Sequence, residues 1–188
     1  MTDGNKNEKR VHSKQFLYSN YFAMHQLKPI SKESIPIALE KVERYRLLNE
    51  PRLAQSICLD VLEADPQNTK AVINLLLAIT DEFETSSSPD VHQAQQLLPR
   101  LQNDYEKNYY AGIILERQGM AILNRKTTGG HFAAYDWLNE AMSFYEKAEA
   151  LRPHGNDDSI LRWNTCVRLI ARHNLKPRDE EYIEPPLE

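Results

Sequence analysis

Catalysis or metal binding in this chain would have to come from its histidines, cysteines and serines. The six histidines are His12, His25, His92, His131, His154 and His173. An imidazole works as a general base or a metal ligand only where a carboxylate, a thiol or a second imidazole converges on it. These six fall in different segments, and no His-x-x-x-His, Glu-paired His or Cys-x-x-Cys spacing joins them. The nearest to a pair is His131 with Asp136. Ser87 and Ser88 lack both a nucleophile elbow and a nearby base. Gly129-Gly130 lacks the Lys-Ser/Thr sequel of a phosphate loop and follows no strand, so it marks a loop. Cys58 and Cys166 each sit within an amphipathic helical pattern, as small buried side chains of a reducing compartment do. The expectation is no catalytic centre, no metal and no cofactor. An enzyme with a pocket near His131 is the lesser alternative.

The segments that carry these residues are helical in pattern. The chain has 188 residues, 41% hydrophobic and 27% charged, enough for one domain with a core. Only 6 glycines are present, and Leu, Ala, Glu, Gln, Arg and Lys dominate the long segments. Alternating β-branched runs are nearly absent, so the class is all-α. Lys plus Arg is 23 against 27 Asp plus Glu, a net charge of -4 that gives no basic stripe for phosphates and argues against nucleic acid. Met1–Arg10 has no apolar signal core, and no apolar run approaches the ~20 residues of a membrane helix. A soluble cytoplasmic protein is the default.

Residues 1–14 read as a disordered lead. Residues 15–30 turn aromatic (Phe16, Tyr18, Tyr21, Phe22), as an extra helix or an occupant of the domain's own groove. The helical domain spans 31–173, and residues 174–188 form an acidic extended tail with Tyr182, Ile183 and Leu187. Within the domain, Ser34 and Pro36 open a helix from Ile35 to Leu48, and Pro51 opens a second that stops at Asp65-Pro66. Ala71–Phe83 is apolar along most faces, which predicts central burial. Val91–Leu101 is its return helix, with Pro99 threatening a kink. Tyr105–Leu123, Phe132–Leu151 and Ile160–Arg172 follow, the last capped by Asn156-Asp157-Asp158.

The helix pairs repeat. Ala54, Cys58, Val61 and Pro66 have the same mutual spacing as Ala141, Tyr145, Ala148 and Pro153. This small, large, small, Pro pattern resembles the tetratricopeptide repeat (TPR), a helix–turn–helix unit of about 34 residues. Tyr45 and Ala38 fall where that family's first helix has its aromatic and its first core position, and the next unit begins in register at Thr69. Ala94 suits the small position of the second unit, which lacks the closing Pro. The span from Pro66 to Pro153 exceeds two units, with extra residues in Thr85–Ser88, before Gly119 and around Lys126–His131. The stretch Asn156–Cys166 is similar to the ending of some uncharacterised bacterial TPR proteins.

The resemblance implies a right-handed TPR-like solenoid of about three helix pairs plus a C-terminal capping helix. It also implies a function: a protein–protein interaction module, adaptor or scaffold, whose concave face takes a peptide or helix of a partner protein. That face is expected to include Leu39, Glu43 and Arg46, then Ile73, Asn74 and Leu77, then Arg117 and Met120, and Asn164 on the cap. In the TPR subclass that grips a C-terminal carboxylate, Leu39 and Glu43 stand where a Lys and an Asn belong. Only Asn74 and Arg117 match, so that ligand is not expected. A homo-oligomeric structural protein using its C-terminal tail is the alternative.

Overall fold

A computed structural model describes residues 26–85 and 91–178. The expected lead, most of the aromatic segment, Ser86–Pro89, and the tail beyond Arg178 lie outside the described residues. The chain divides into two units, Met1–Ile30 and Ser31–Glu188. Of the first, Gln26–Ile30 is described and holds no helix or strand.

The second unit is helical, with no strand among its described residues. Its α-helices are α1 (Ile35–Leu47), α2 (Pro51–Ala64), α3 (Thr69–Asp81), α4 (Val91–Gln95), α5 (Asp104–Asn124), α6 (Gly130–Leu151) and α7 (Asp158–Arg172). Single 3-10 turns, Lys32–Ser34 and Leu98–Arg100, precede α1 and follow α4.

Local chemistry places most of the boundaries. Asn49 takes the left-handed backbone (φ 58) after α1, and the Glu50 N–H donates to the Tyr45 carbonyl at 2.8 Å. That closes the helix with a Schellman turn, and Pro51 opens α2 where no N–H is needed. At α3 the Asn68 side chain accepts from the Ala71 N–H at 3.0 Å, and Asn103 accepts from the Glu106 N–H at 2.8 Å at α5; each satisfies one orphan donor of a first turn. At α7 the Asn156 side chain accepts from the Asp158 N–H at 2.9 Å, while Asp157 makes no side-chain cap. α7 ends as α1 does: Asn174 has φ 49, and the Leu175 N–H reaches the Ile170 carbonyl at 3.0 Å.

One helix differs from its expectation. The return helix expected over Val91–Leu101 stops at Gln95. Pro99 has no N–H for the Gln95 carbonyl, so the chain tightens: Leu97 donates back to Ala94 and Arg100 to Leu97. Burial survives the break, because Ala94 and Leu101 stay in the core.

Consecutive helices pack as neighbours, and α1 meets α3 while α3 meets α5. α3 touches α1, α2, α4 and α5, which is why Ala71, Val72, Leu75, Leu76, Ala78 and Ile79 are buried around most of its circumference. The α5–α6 hairpin is the longest. Its helices have 21 and 22 residues, against 13 and 14 in α1 and α2, about two turns more in each. Ile113, Leu115, Ala134, Leu138, Ala141 and Tyr145 fill it, joined by Cys166 of α7 and by Leu175 beyond it. Each of the large aliphatic side chains among them, Ile113, Leu115 and Leu138, contributes roughly 1.5–3 kcal/mol through area removed from water.

Candidate interaction face

The sequence Gly112-Ile113-Ile114-Leu115-Glu116-Arg117 holds the centre of α5. At about 100° per residue, Gly112 and Glu116 share a face, whereas Arg117 turns toward a different neighbour. A Cβ on Gly112 would lie 2.5 Å from Tyr145 Cε1, so only glycine lets α6 bring this ring against α5. The Tyr145 hydroxyl then donates to Glu116 Oε2 at 2.6 Å, and Arg162 of α7 places its Nε 3.4 Å from the same oxygen. Glu116 is only 5% exposed, and a buried carboxylate persists where donors and a cation compensate it. Burial, reinforced by Glu116, pushes the Tyr145 phenol far above its ordinary range. On Arg162 burial is the largest influence and acts downward, but Glu116, Tyr145 and Tyr109 together outweigh it and the guanidinium is held above its usual value.

Arg117 points the other way. It donates to the Leu77 carbonyl at 3.0 Å, to Thr80 Oγ1 at 2.6 Å and to Asp81. Asp81 also accepts from Arg46 Nε at 2.8 Å. One carboxylate at the end of α3 thus bridges guanidiniums from α1 and α5, tying these three helices together. Burial lowers the Arg117 pKa, and Asp81 opposes the shift. The second helix is tied in as well: Gln55 of α2 donates to Glu82 at 2.7 Å and to the Ala78 carbonyl at 3.2 Å.

Of the nine residues expected to line a concave face, the structure joins Arg46 and Arg117 through Asp81, with the Leu77 carbonyl beside them. Both arginines are therefore occupied within the domain. Leu39 and Asn74 are buried, Asn74 donating to the Lys70 carbonyl at 3.1 Å. The Leu77 side chain packs against the α5–α7 core cluster. Glu43 is exposed, while Ile73, Met120 and Asn164 are half-buried.

Sequence reasoning missed Asp81, Glu116 and Arg162. The available signal was Glu116 itself, a lone acid following an apolar run, as a compensated buried charge would stand. A tyrosine group lines the first turns of the same helix: Tyr105 stacks on Tyr109 with centroids 5.9 Å apart, and Tyr110 meets Tyr109 edge-on at 5.2 Å. Burial raises Tyr109 and pushes Tyr110 up to about 12.

The thiols and imidazoles have their own settings. Cys58 and Cys166 are buried and unpaired with each other, and burial pushes each thiol up to about 12. A protonated, enclosed thiol is a poor nucleophile and a poor metal ligand. His131 and Asp136 are exposed, and the His131 ring leans on Phe132 with centroids 4.0 Å apart. Among the described residues no three His, Cys, Asp or Glu side chains are grouped to hold a metal, and no helix is long and apolar enough to cross a membrane. One cleft of about 280 Å³ lies between α4, α5 and α6, lined by Gln95, Leu98, Lys107, Asn108, Leu115 and Phe144 among others. Another, of about 460 Å³, sits at the start of α5 with Tyr105, Glu106, Leu151, Pro153 and Asn156 on its walls. No protein-family model, curated protein or solved structure matches the chain.

Proposed function

We propose that this domain is a TPR-like interaction module, a right-handed stack of three helix pairs capped by α7, that binds a peptide or short helix of a partner protein along its first helices. The observation that carries the reading is the burial of the repeated positions. Ala54, Cys58 and Val61 in α2 and Ala141, Tyr145 and Ala148 in α6 are all 0% exposed. Alanine at the first place lets each second helix lie close to its partner; in α6 Tyr145 then fills the space beside Ala148, whereas in α2 the smaller Cys58 sits next to the bulkier Val61. Contacts of α1 with α3 and of α3 with α5 support the stacking, because stacked hairpins bring alternate helices together.

The Arg46–Asp81–Arg117 bridge refines the reading. These arginines hold the first helices at fixed spacing, and the groups left to meet a ligand are Glu43, Ile73, Met120 and Asn164. A face with one free acid, one amide and two apolar side chains suits a mixed peptide or an amphipathic helix, with no charge preference strong enough to select a phosphate backbone.

The test is retention of partners from lysate of the source organism on the immobilised protein, compared with a Glu43→Lys, Met120→Glu variant whose circular dichroism matches the wild type. Proteins held by the wild type alone would support the face and identify what it binds. If both baits hold the same set, or neither holds anything, the groove reading fails.

A further inference from the structure

α1 spends Ile35, Leu39 and Val42 on the core. Its opposite side carries a second stripe: Ile37, Lys41, Arg44 and, at the C-cap, Leu48 recur at helical spacing. All four are exposed, with Ile37 at 58% and Leu48 at 63%. Lys41 and Arg44 enter no ion pair among the described residues. Two cations set between two exposed aliphatic side chains, with the exposed Glu40 beside Arg44, leave this stripe one positive charge in excess in a chain of net charge -4.

The chain holds a complement to this stripe in its last ten residues. Asp179-Glu180-Glu181-Tyr182-Ile183-Glu184-Pro185-Pro186-Leu187-Glu188 contains acids at 179, 180, 181, 184 and 188, no base, and apolar Tyr182, Ile183 and Leu187. Its root is held in place. Leu175 is 5% exposed in the α5–α7 core, and the Arg178 guanidinium lies over the Phe132 ring at 5.8 Å.

We propose that the acidic tail, residues 179–188, of a second copy docks on the Ile37–Lys41–Arg44–Leu48 stripe. Its carboxylates meet Lys41 and Arg44, and Tyr182, Ile183 or Leu187 cover Ile37 and Leu48. The tail of the same copy is poorly placed for this. α1 is separated from α7 by α3 and α5, three helix-to-helix steps of about 9 Å each. From Leu175, Ile183 reaches at most about 27 Å even when fully extended at about 3.4 Å per residue. Half of the eight acidic and apolar groups, those at 179–182, would be spent in crossing, whereas a second copy presents them all. This inference is independent of the groove reading, because it uses the outer side of α1 and none of the nine residues expected in the groove.

The test is sedimentation equilibrium of the full chain between about 1 and 100 μM, the range of weak self-association, at low and at high salt. The tailless variant must end after Arg178, so that Leu175 stays in the core. The expected result is a mass that rises with concentration, falls back with salt, and stays monomeric both in the variant ending at Arg178 and in Lys41→Glu, Arg44→Glu. Adding Glu180→Lys and Glu181→Lys to that pair restores association. A full chain that is monomeric throughout, association that survives loss of the tail, or a charge swap that fails to restore it would each overturn the proposal.

Discussion

Replacing Gly112 by alanine tests the pairing of α5 with α6 directly. The added Cβ would lie 2.5, 2.7 and 2.9 Å from Cε1, Cδ1 and Cζ of Tyr145, all closer than nonbonded carbons approach. The ring cannot swing aside freely, since Tyr145 is fully buried and its hydroxyl is held by Glu116 at 2.6 Å. Helix propensity alone favours alanine by about 1 kcal/mol. Against that stand roughly 1–3 kcal/mol for overpacking and about 1–3 kcal/mol if the displaced ring leaves the Glu116 carboxylate short of its donor. The expected net is a loss of about 2 kcal/mol, which for a chain of this length lowers Tm by about 4–8 °C. Thermal and urea unfolding followed by circular dichroism would measure it. Combining Gly112→Ala with Tyr145→Leu supplies the control: with the ring gone, the alanine should become neutral or mildly stabilising relative to Tyr145→Leu alone. A single variant as stable as the wild type would mean that Tyr145 does not lie on Gly112, and the register assigned to this hairpin would be wrong.

Other perturbations follow from the same contacts. Asp81→Ala strands two guanidiniums at once; since all three side chains keep about a fifth to a quarter of their surface exposed, the loss is about 1–3 kcal/mol rather than that of a fully buried pair, and removing Arg46 as well should add little, which a double-mutant cycle reads. The raised phenols of Tyr109, Tyr110 and Tyr145 keep their protons in the folded state after unfolded tyrosines, at about 10, have lost theirs. Their contribution is therefore fully present below about pH 10 and is lost as pH rises beyond it, so urea midpoints should fall above that pH, while a flat profile would contradict the burial of these rings. Cys58 and Cys166, with thiols pushed up to about 12, should resist a disulfide reagent at pH 8 in the native protein and react in urea; fast native labelling of either would refute its enclosure.

The fold was legible where a residue acts on its own backbone or on its own helix. Pro51 and Gly129-Gly130 set helix ends through local dihedrals, and those ends fall within a residue or two of expectation; the Asn68 cap before Thr69 is equally local but was not read from the sequence. The paired motif Ala-Cys-Val and Ala-Tyr-Ala was legible because burial repeats with the helical period. Pro99 shows the limit: it announced a break, but whether the chain would kink or stop depended on how Ala94 and Leu101 reached the core. Arg46 and Arg117 were read as ligand contacts because their first-helix positions allow it. Their partner Asp81 lies more than thirty residues from each in sequence, and nothing periodic marks such a pairing. Glu116 and Arg162 escaped for the same reason.

The adjacency of Glu116 and Arg117 constrains how this protein can change. The two opposite charges are one residue apart, so about 100° of rotation separates a carboxylate facing Tyr145 from a guanidinium facing Asp81. With the start of α5 held in place, deleting one residue between Gly112 and Glu116 would turn the cation toward the tyrosine and leave Asp81 without it, whereas inserting one would turn the carboxylate toward Asp81. α5 is thus keyed like a lock in rotation, and sliding it is not a small error but an exchange of charges. Length can be gained without turning the key only past the keyed segment, toward the Arg125–Gly129 turn, and that is where the third hairpin outgrows the first. Libraries that vary loop length or insert a reporter should tolerate changes at that turn and reject them in the middle of α5.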